Sequence, residues 1–96
     1  MKGLLIYFDV AAGRQAEFER AMGVHANNVR QRDPSYSLYS LAKIRDSETR
    51  YVLVQRFESY ETQARHQTYD YVVAAMPAID VCLAGPPTIE WLDIVD

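Results

Sequence analysis

The hydrophobic pattern changes its period within the stretch Arg50 to His66, and this change predicts a strand joined to a helix. Tyr51 to Glu58 alternates with the two-residue period of a strand, whereas the residues after Ser59 follow the period of about 3.6 that marks an amphipathic helix. Ser59 is a good N-cap residue, because its side-chain oxygen can accept a hydrogen bond from a free N–H of the first turn. His66 lies later in the same helix.

A strand and a long helix are predicted before this stretch. Leu4 to Phe8 is an almost unbroken apolar run, as expected of a strand that is covered on both faces. From Arg14 the pattern becomes helical, and it ends at Asp33-Pro34-Ser35, since the residue before a proline is pushed out of helical geometry. The apolar stripe of this helix consists of Phe18, Ala21, Met22, His25 and Val29.

A hairpin is predicted in the middle of the chain. Tyr36 to Ile44 is rich in strand-forming residues, and the polar segment Arg45 to Thr49 is short enough to be a hairpin loop. The second and third strands should therefore pair antiparallel. The third strand should carry Tyr51, Leu53, Gln55 and Phe57 on one face.

Two helical segments follow the third strand. They run from Tyr60 to Gln67 and from Tyr69 to Ala75 or beyond, with an interruption marked by Thr68 and Asp70. Pro77 is expected to interrupt the second segment, because proline lacks the backbone N–H that a helix interior requires.

The order of elements predicts a ferredoxin-like fold. Thr88 to Val95 alternates as a last strand after the breaker Gly85-Pro86-Pro87, which gives the order β-α-β-β-α-β. We therefore expect one α+β domain over residues 1–96, with a four-stranded antiparallel sheet and its helices on one face. Apolar residues occur on both parities of several strands, so the other sheet face also needs cover. We predict a homodimer whose two sheets face each other.

Composition narrows the class of partner. Hydrophobic residues make up 49% of the 96 residues and charged residues 24%, as is usual for a soluble globular protein. The net charge is -3 and there is no Lys/Arg run, which disfavours nucleic acid. The apolar part of the N-terminus is too short for a signal peptide, and no run is long enough for a membrane span. Cys82 is the single cysteine, which fits a buried thiol and a cytoplasmic location.

Several short motifs spread over nearly the whole chain resemble one known group. They are Gly13 to Phe18, Asp33-Pro34-Ser35, Arg45-Asp46, Tyr51 to Ser59, Ala64-Arg65-His66 and Gly85-Pro86-Pro87. Together they resemble the antibiotic biosynthesis monooxygenase family of dimeric α/β-barrel proteins. Ser35 replaces a glycine of the family pattern, and Phe57 replaces its usual tryptophan.

The resemblance implies a cofactor-independent monooxygenase that acts on a quinol-like or polyketide-like aromatic. No dinucleotide, phosphate-loop, paired-cysteine or zinc-protease motif is present, so we expect no cofactor and no metal. Without a cofactor, the substrate itself must donate an electron to dioxygen. Two alternatives remain open: a non-catalytic dimer that binds a small apolar or aromatic molecule or assists a partner, and an isomerase or cyclase on the same scaffold.

Candidate site residues follow from the same resemblance. His66 matches the family's helix histidine and would act as the base, whereas the alternative is a partly buried histidine bonded to a carbonyl or water. His25 lies on the apolar stripe, where we expect a structural role that needs only a hydrogen-bond partner. The candidate substrate-binding residues, each equally well explained by packing, are Ile6, Tyr51, Phe57, Tyr71 and Trp91.

The haem-degrading branch of the family is not expected here. Its members carry an asparagine on the first strand, a tryptophan on the second helix and a haem-ligating histidine further along. Ile6, His66 and Met76 occupy those places in this chain, so all three differ.

Overall fold

Four antiparallel strands form one sheet, and helices cover one of its faces. We describe a computed structural model that covers all 96 residues. The elements are β1 (Lys2–Asp9), α1 (Gln15–Arg32), β2 (Tyr36–Lys43), β3 (Arg50–Phe57), α2 (Tyr60–His66), α3 (Asp70–Asp80) and β4 (Thr88–Asp93). The strand order in the sheet is β2-β3-β1-β4. The predicted ferredoxin-like α+β fold is therefore confirmed.

The main core lies between the sheet and the helices. The register of β1 against β3 pairs Phe8 with Tyr51, so both rings point to the same side. Phe18 of α1 packs on both of them, with ring centroids 5.3 Å from Phe8 and 4.9 Å from Tyr51. Aromatic burial of this size dominates the energetics of a small core.

Helix α1 buries the stripe that the sequence predicts. Phe18, Met22, His25 and Val29 are all buried, together with Ala26. The rest of this helix is mostly exposed and polar, and α1 is the longest helix at 18 residues. No helix of the structure combines the length and the apolar character that crossing a bilayer requires.

The opposite face of the sheet is apolar and has no helix over it. Leu5, Tyr7, Val52 and Val54 are only half-buried there, since alternate residues of β1 and β3 point away from the helices. Leu38, beside the irregularity in β2, is 43% exposed. A second apolar surface therefore remains open in the single chain.

Pro77 does not interrupt the last helix, so that prediction was wrong. Helix α3 continues through it to Asp80. Proline already has a helical φ and removes only one hydrogen bond, whose acceptor would be the carbonyl of Val73. Val73 is 56% exposed, so this part of the helix faces solvent and not the core. The break before α3, at residues 67–69, is confirmed.

The last strand is shorter than the sequence predicts. Asp93 pairs with Lys2, which is the first residue of β1, and beyond this pair the N–H of Ile94 donates to the carbonyl of Met1 over 3.2 Å. Val95, expected inside the strand, is 96% exposed.

Ser59 caps α2 as predicted. Its hydroxyl accepts a hydrogen bond from the N–H of Thr62, and its own N–H donates to the Thr62 hydroxyl, each over 3.2 Å. This reciprocal pair fixes where the chain leaves β3 and turns into α2, the helix that carries His66.

We expect Ser59→Ala to lower the free energy of unfolding by about 1 kcal/mol, because the first turn of α2 loses its cap. Chemical denaturation at fixed protein concentration measures the change. Arg65→Ala is the matched control, since Arg65 is exposed on the same helix, away from the open sheet face, and its side chain makes no hydrogen bond. Equal stability of the two variants would show that the cap contributes nothing.

Candidate functional site

A cavity of about 270 Å³ lies between the sheet and the helices. The wall is mostly apolar and is contributed by strands β1 and β3 and helices α1 and α3. Its principal apolar lining residues are Ile6, Phe8, Met22, Leu53, Val72, Met76 and Ile79. Most of these side chains are buried, and the low polarity of the wall strengthens any electrostatic contact made inside.

The cavity opens at one side. Gln67, Asp80, Pro87 and Ile89 line it and are all exposed, so they mark its mouth. These residues come from the end of α2, the end of α3 and the start of β4. A small molecule can therefore enter next to the C-terminal strand.

His66 lies in the cavity wall and is held by a buried carboxylate. Its side chain, 4% exposed, donates from Nδ1 to Oδ2 of Asp33 over 2.8 Å, and the Asp33 side chain is 5% exposed. The other oxygen of Asp33 accepts from the N–H of Ser35 at 3.0 Å and from its hydroxyl at 2.6 Å. Both oxygens of the buried carboxylate are thus satisfied.

These bonds determine which nitrogen of His66 faces Asp33 as the donor. Burial favours the neutral carboxyl of Asp33, but the hydrogen bonds from Ser35 and His66 outweigh it and lower the pKa of Asp33. An ionised carboxylate only accepts hydrogen bonds, so Nδ1 of His66 must carry the proton. In the neutral ring Nε2 is then an unprotonated acceptor, available to a molecule in the cavity.

Tyrosine rings surround His66. Tyr36 packs closest, with ring centroids 4.6 Å apart, and the rings of Tyr39, Tyr69 and Tyr71 lie between 5.9 and 6.2 Å away. Burial raises the pKa of Tyr36 and Tyr39 far above neutrality, so their hydroxyls stay protonated. Among these neighbours the imidazole of His66 is the group suited to accept a proton.

His25 supplies a second imidazole to the same cavity. It is 2% exposed, and neither of its ring nitrogens has a hydrogen-bond partner. The sequence-based expectation of a partnered structural histidine was therefore wrong on this point. Burial, and then repulsion by His66, lowers the pKa of His25 to about 4, so the ring is neutral at pH 7.

Two of the predicted substrate-binding residues lie at or near His66. Ile6 lines the cavity together with His66. Tyr71 packs against the His66 ring but faces a groove between α1 and α3, and its hydroxyl is buried without a partner. Only Ile6 of the two touches the cavity itself.

The other three predicted residues lie elsewhere. Tyr51 and Phe57 are buried in the core and do not line the cavity; the hydroxyl of Tyr51 donates to Glu19. Trp91 is 48% exposed on β4 and stacks edge-on against Tyr60. We therefore leave these three out of the proposed site.

The chain offers few ligands for a metal ion. No group of three His, Cys, Asp or Glu side chains gathers at one place. Asp33 is fully engaged by Ser35 and His66, so its oxygens are directed at the protein.

Comparison with known proteins agrees with this architecture. The family model described as antibiotic biosynthesis monooxygenase matches residues 1–78. The chain belongs to the antibiotic biosynthesis monooxygenase family. The resemblance seen in the sequence motifs is thereby confirmed, and the matched range contains Asp33, His66 and His25.

Solved structures similar to this family member share its whole fold. One, from Caulobacter crescentus and provisionally assigned as an antibiotic biosynthesis monooxygenase, is 29% identical with a TM-score of 0.94, and the match covers 99% of this chain and 90% of that one. Another with the same provisional assignment, from Nitrosomonas europaea, is 16% identical with a TM-score of 0.90 and full coverage of both chains, which shows the fold alone. No curated protein matches the sequence.

Asp33 is the site residue of this family member that sequence reasoning missed. It was interpreted as part of the segment that ends α1 and of a family motif, without a role in the site. Its partner His66 lies 33 residues further along the chain, and no local pattern shows that the two residues are close in space. The one available signal was a motif: an acidic residue and a helix histidine both belong to the family pattern.

We expect this antibiotic biosynthesis monooxygenase family member to lose stability as pH falls from 6.5 towards 4. The pKa of His25 is 6.5 when unperturbed and about 4 in the fold, so the unfolded chain takes up the proton first and unfolding is favoured. Asp33 acts in a different pH range. Its lowered pKa stabilises the fold above pH 3.8, and this stabilisation is lost only as the pH falls below 3.8. His25→Phe should flatten the pH dependence of thermal unfolding between 4 and 6.5. An unchanged slope would contradict the buried, neutral state of His25.

Proposed function

We propose that the protein is a cofactor-independent monooxygenase of a quinol-like aromatic, with His66 as the base. The observation that carries this proposal is the Asp33–His66 pair in the wall of an apolar cavity. Asp33 supplies the orientation, since its carboxylate occupies Nδ1. Nε2 is left to take a proton from a hydroxyl group in the cavity.

The size of the cavity favours a small ring system. A cavity of roughly 150 Å³ is known to hold benzene, and here the volume is about 270 Å³. One ring or two fused rings therefore fit better than the three or four rings of a polyketide-like aromatic. Within the two substrate classes that the sequence left open, the volume supports the quinol-like one.

The chemistry balances without an added reductant. His66 accepts the proton of one hydroxyl, and the resulting anion is electron-rich enough to reduce dioxygen. One oxygen atom forms a bond to a ring carbon, the O–O bond breaks, and the second oxygen leaves as water. For naphthalene-1,4-diol the products are 2-hydroxy-1,4-naphthoquinone and water, so the substrate supplies all the electrons.

We further propose a homodimer formed through the open face of the sheet. Leu5, Val52 and Val54 support it, because a second copy would cover their half-exposed side chains. The cavity lies on the helix-covered side, so this contact leaves its mouth free. The lone, buried Cys82 forms no disulfide, which is consistent with a cytoplasmic location.

Two other functions make different predictions. An isomerase or cyclase would use His66 for proton transfer but would consume no oxygen. A binding or accessory dimer would hold the aromatic molecule and leave it unchanged. Oxygen uptake with a panel of hydroquinones separates both from the monooxygenase that we propose.

We expect His66→Ala to lower kcat for naphthalene-1,4-diol by about 10²–10⁴-fold, because the base is lost. An oxygen electrode measures uptake, and labelled dioxygen should place one labelled atom in the product. Asp33→Asn should lower kcat as well, since its amide can donate to Nδ1 and so leave the proton on Nε2. The double variant should be no slower than His66→Ala, as two residues that act as a unit are not additive.

Arg65→Ala is the matched control, as Arg65 is the exposed neighbour of His66 on α2. It should retain the parent rate. The proposal fails if His66→Ala, shown to be folded by circular dichroism, turns over as fast as the parent, or if hydrogen peroxide accounts for all the oxygen consumed.

We expect Val54→Glu to convert the dimer into monomers, because a charge on the open sheet face cannot be buried without a partner. Sedimentation equilibrium measures the mass. Val73→Glu is the control, since Val73 is exposed on α3, away from that face. A parent protein that sediments as a monomer would contradict the proposed assembly.

A further inference from the structure

We propose that His25 is the second polar contact of the substrate, and that its imidazole binds an oxygen on a different edge of the ring from the oxygen that His66 deprotonates. The inference rests on the proposed function and adds a specificity determinant to it. It also defines the substrate more narrowly, as a flat aromatic that carries two oxygens.

The unpartnered state of His25 is the first argument. Its side chain is 2% exposed, and both Nδ1 and Nε2 are buried without a hydrogen-bond partner. Buried polar groups in native proteins nearly always have one, since an unmade bond leaves the cost of desolvation uncompensated. A ligand oxygen in the cavity would supply the missing partner.

The placement of the two histidines is the second argument. His25 comes from α1 and His66 from α2, and both line the cavity. Both also pack on the same tyrosines: the ring of Tyr39 is 5.7 Å from His25 and 6.1 Å from His66, and the ring of Tyr71 is 6.3 Å and 6.2 Å away. The cavity therefore has two separate imidazoles on a wall that is otherwise mostly apolar.

The two histidines differ in the hydrogen bonds that their ring nitrogens already make. His66 has one nitrogen engaged by Asp33 and the other free, which suits a base. No carboxylate holds His25, so its neutral ring keeps one donor and one acceptor. Such a ring can bind a hydroxyl before the reaction and a carbonyl after it. A quinol that becomes a quinone would keep this contact throughout.

The test measures binding with oxygen excluded. Titration calorimetry under nitrogen compares naphthalene-1,4-diol with 1-naphthol, which lacks the second oxygen. We expect the parent to bind the diol about tenfold more tightly, as one added hydrogen bond allows. In His25→Phe the two affinities should become equal, while the affinity for 1-naphthol changes little. His25→Gln, which keeps a donor and an acceptor, should restore part of the preference.

Because the diol and 1-naphthol are also compared on the parent protein, the test does not depend on any single variant. If His25→Phe does not fold, His25→Leu replaces it, and the parent comparison stands alone. Equal affinities in the parent, or a preference for the diol that survives in a folded His25→Phe, would overturn the inference and indicate that a bound water satisfies His25. A failure of the proposed function looks different: the diol is preferred through His25, yet no oxygen is consumed.

Discussion

The buried hydrogen bond between Asp33 and His66 is the contact on which the rest of the structure depends. It joins the residue after α1 to the last residue of α2 over 2.8 Å, so it ties together two of the helices that cover the sheet. Removing either partner leaves a buried polar group without compensation, which is strongly destabilising. The same bond directs one nitrogen of His66 towards the protein and leaves the other for chemistry.

The region around the cavity is also where buried side chains lack hydrogen-bond partners. Most of the buried side-chain polar atoms without a partner belong to His25, Tyr36 and Tyr71, whose rings pack beside His66 or Tyr39. The core around Phe18, by contrast, is wholly apolar apart from the bonded hydroxyl of Tyr51. Native proteins break local rules mainly at functional sites. Of these groups only the imidazole of His25 lines the cavity, so its unpaired nitrogens are the ones placed to contact a ligand there.

Local patterns predicted the fold because the hydrophobic period of each element is set by residues that are neighbours in the sequence. The alternation in β3, the stripe in α1 and the cap at Ser59 depend on neighbouring residues, and the structure confirms all three. The prediction at Pro77 used the local rule that proline interrupts a helix. Helix α3 continues through Pro77 because this part of its surface is exposed. The local rule about proline was given too much weight at a position where solvent can compensate for the lost hydrogen bond.

The site was less predictable because it is made by tertiary contacts. His66 could be identified through a motif, but its bond to Asp33 links positions that no local pattern relates. Tyr51 and Phe57 lie on the same strand face as Leu53 and Gln55, yet only the latter two line the cavity. Strand parity decides which side a residue faces, whereas the helices above decide whether a cavity remains there. His25 was correctly placed in the core, and its lack of a partner is a property of the folded chain alone.

The tautomer of His66 tests the central claim most directly. Nitrogen-15 NMR of the imidazole at neutral pH distinguishes a ring protonated at Nδ1 from one protonated at Nε2. Because the ionised carboxylate of Asp33 can only accept, we expect the proton on Nδ1 and a bare Nε2. A neutral ring with its proton on Nε2 would contradict the account, since His66 would then have no free nitrogen with which to act as a base.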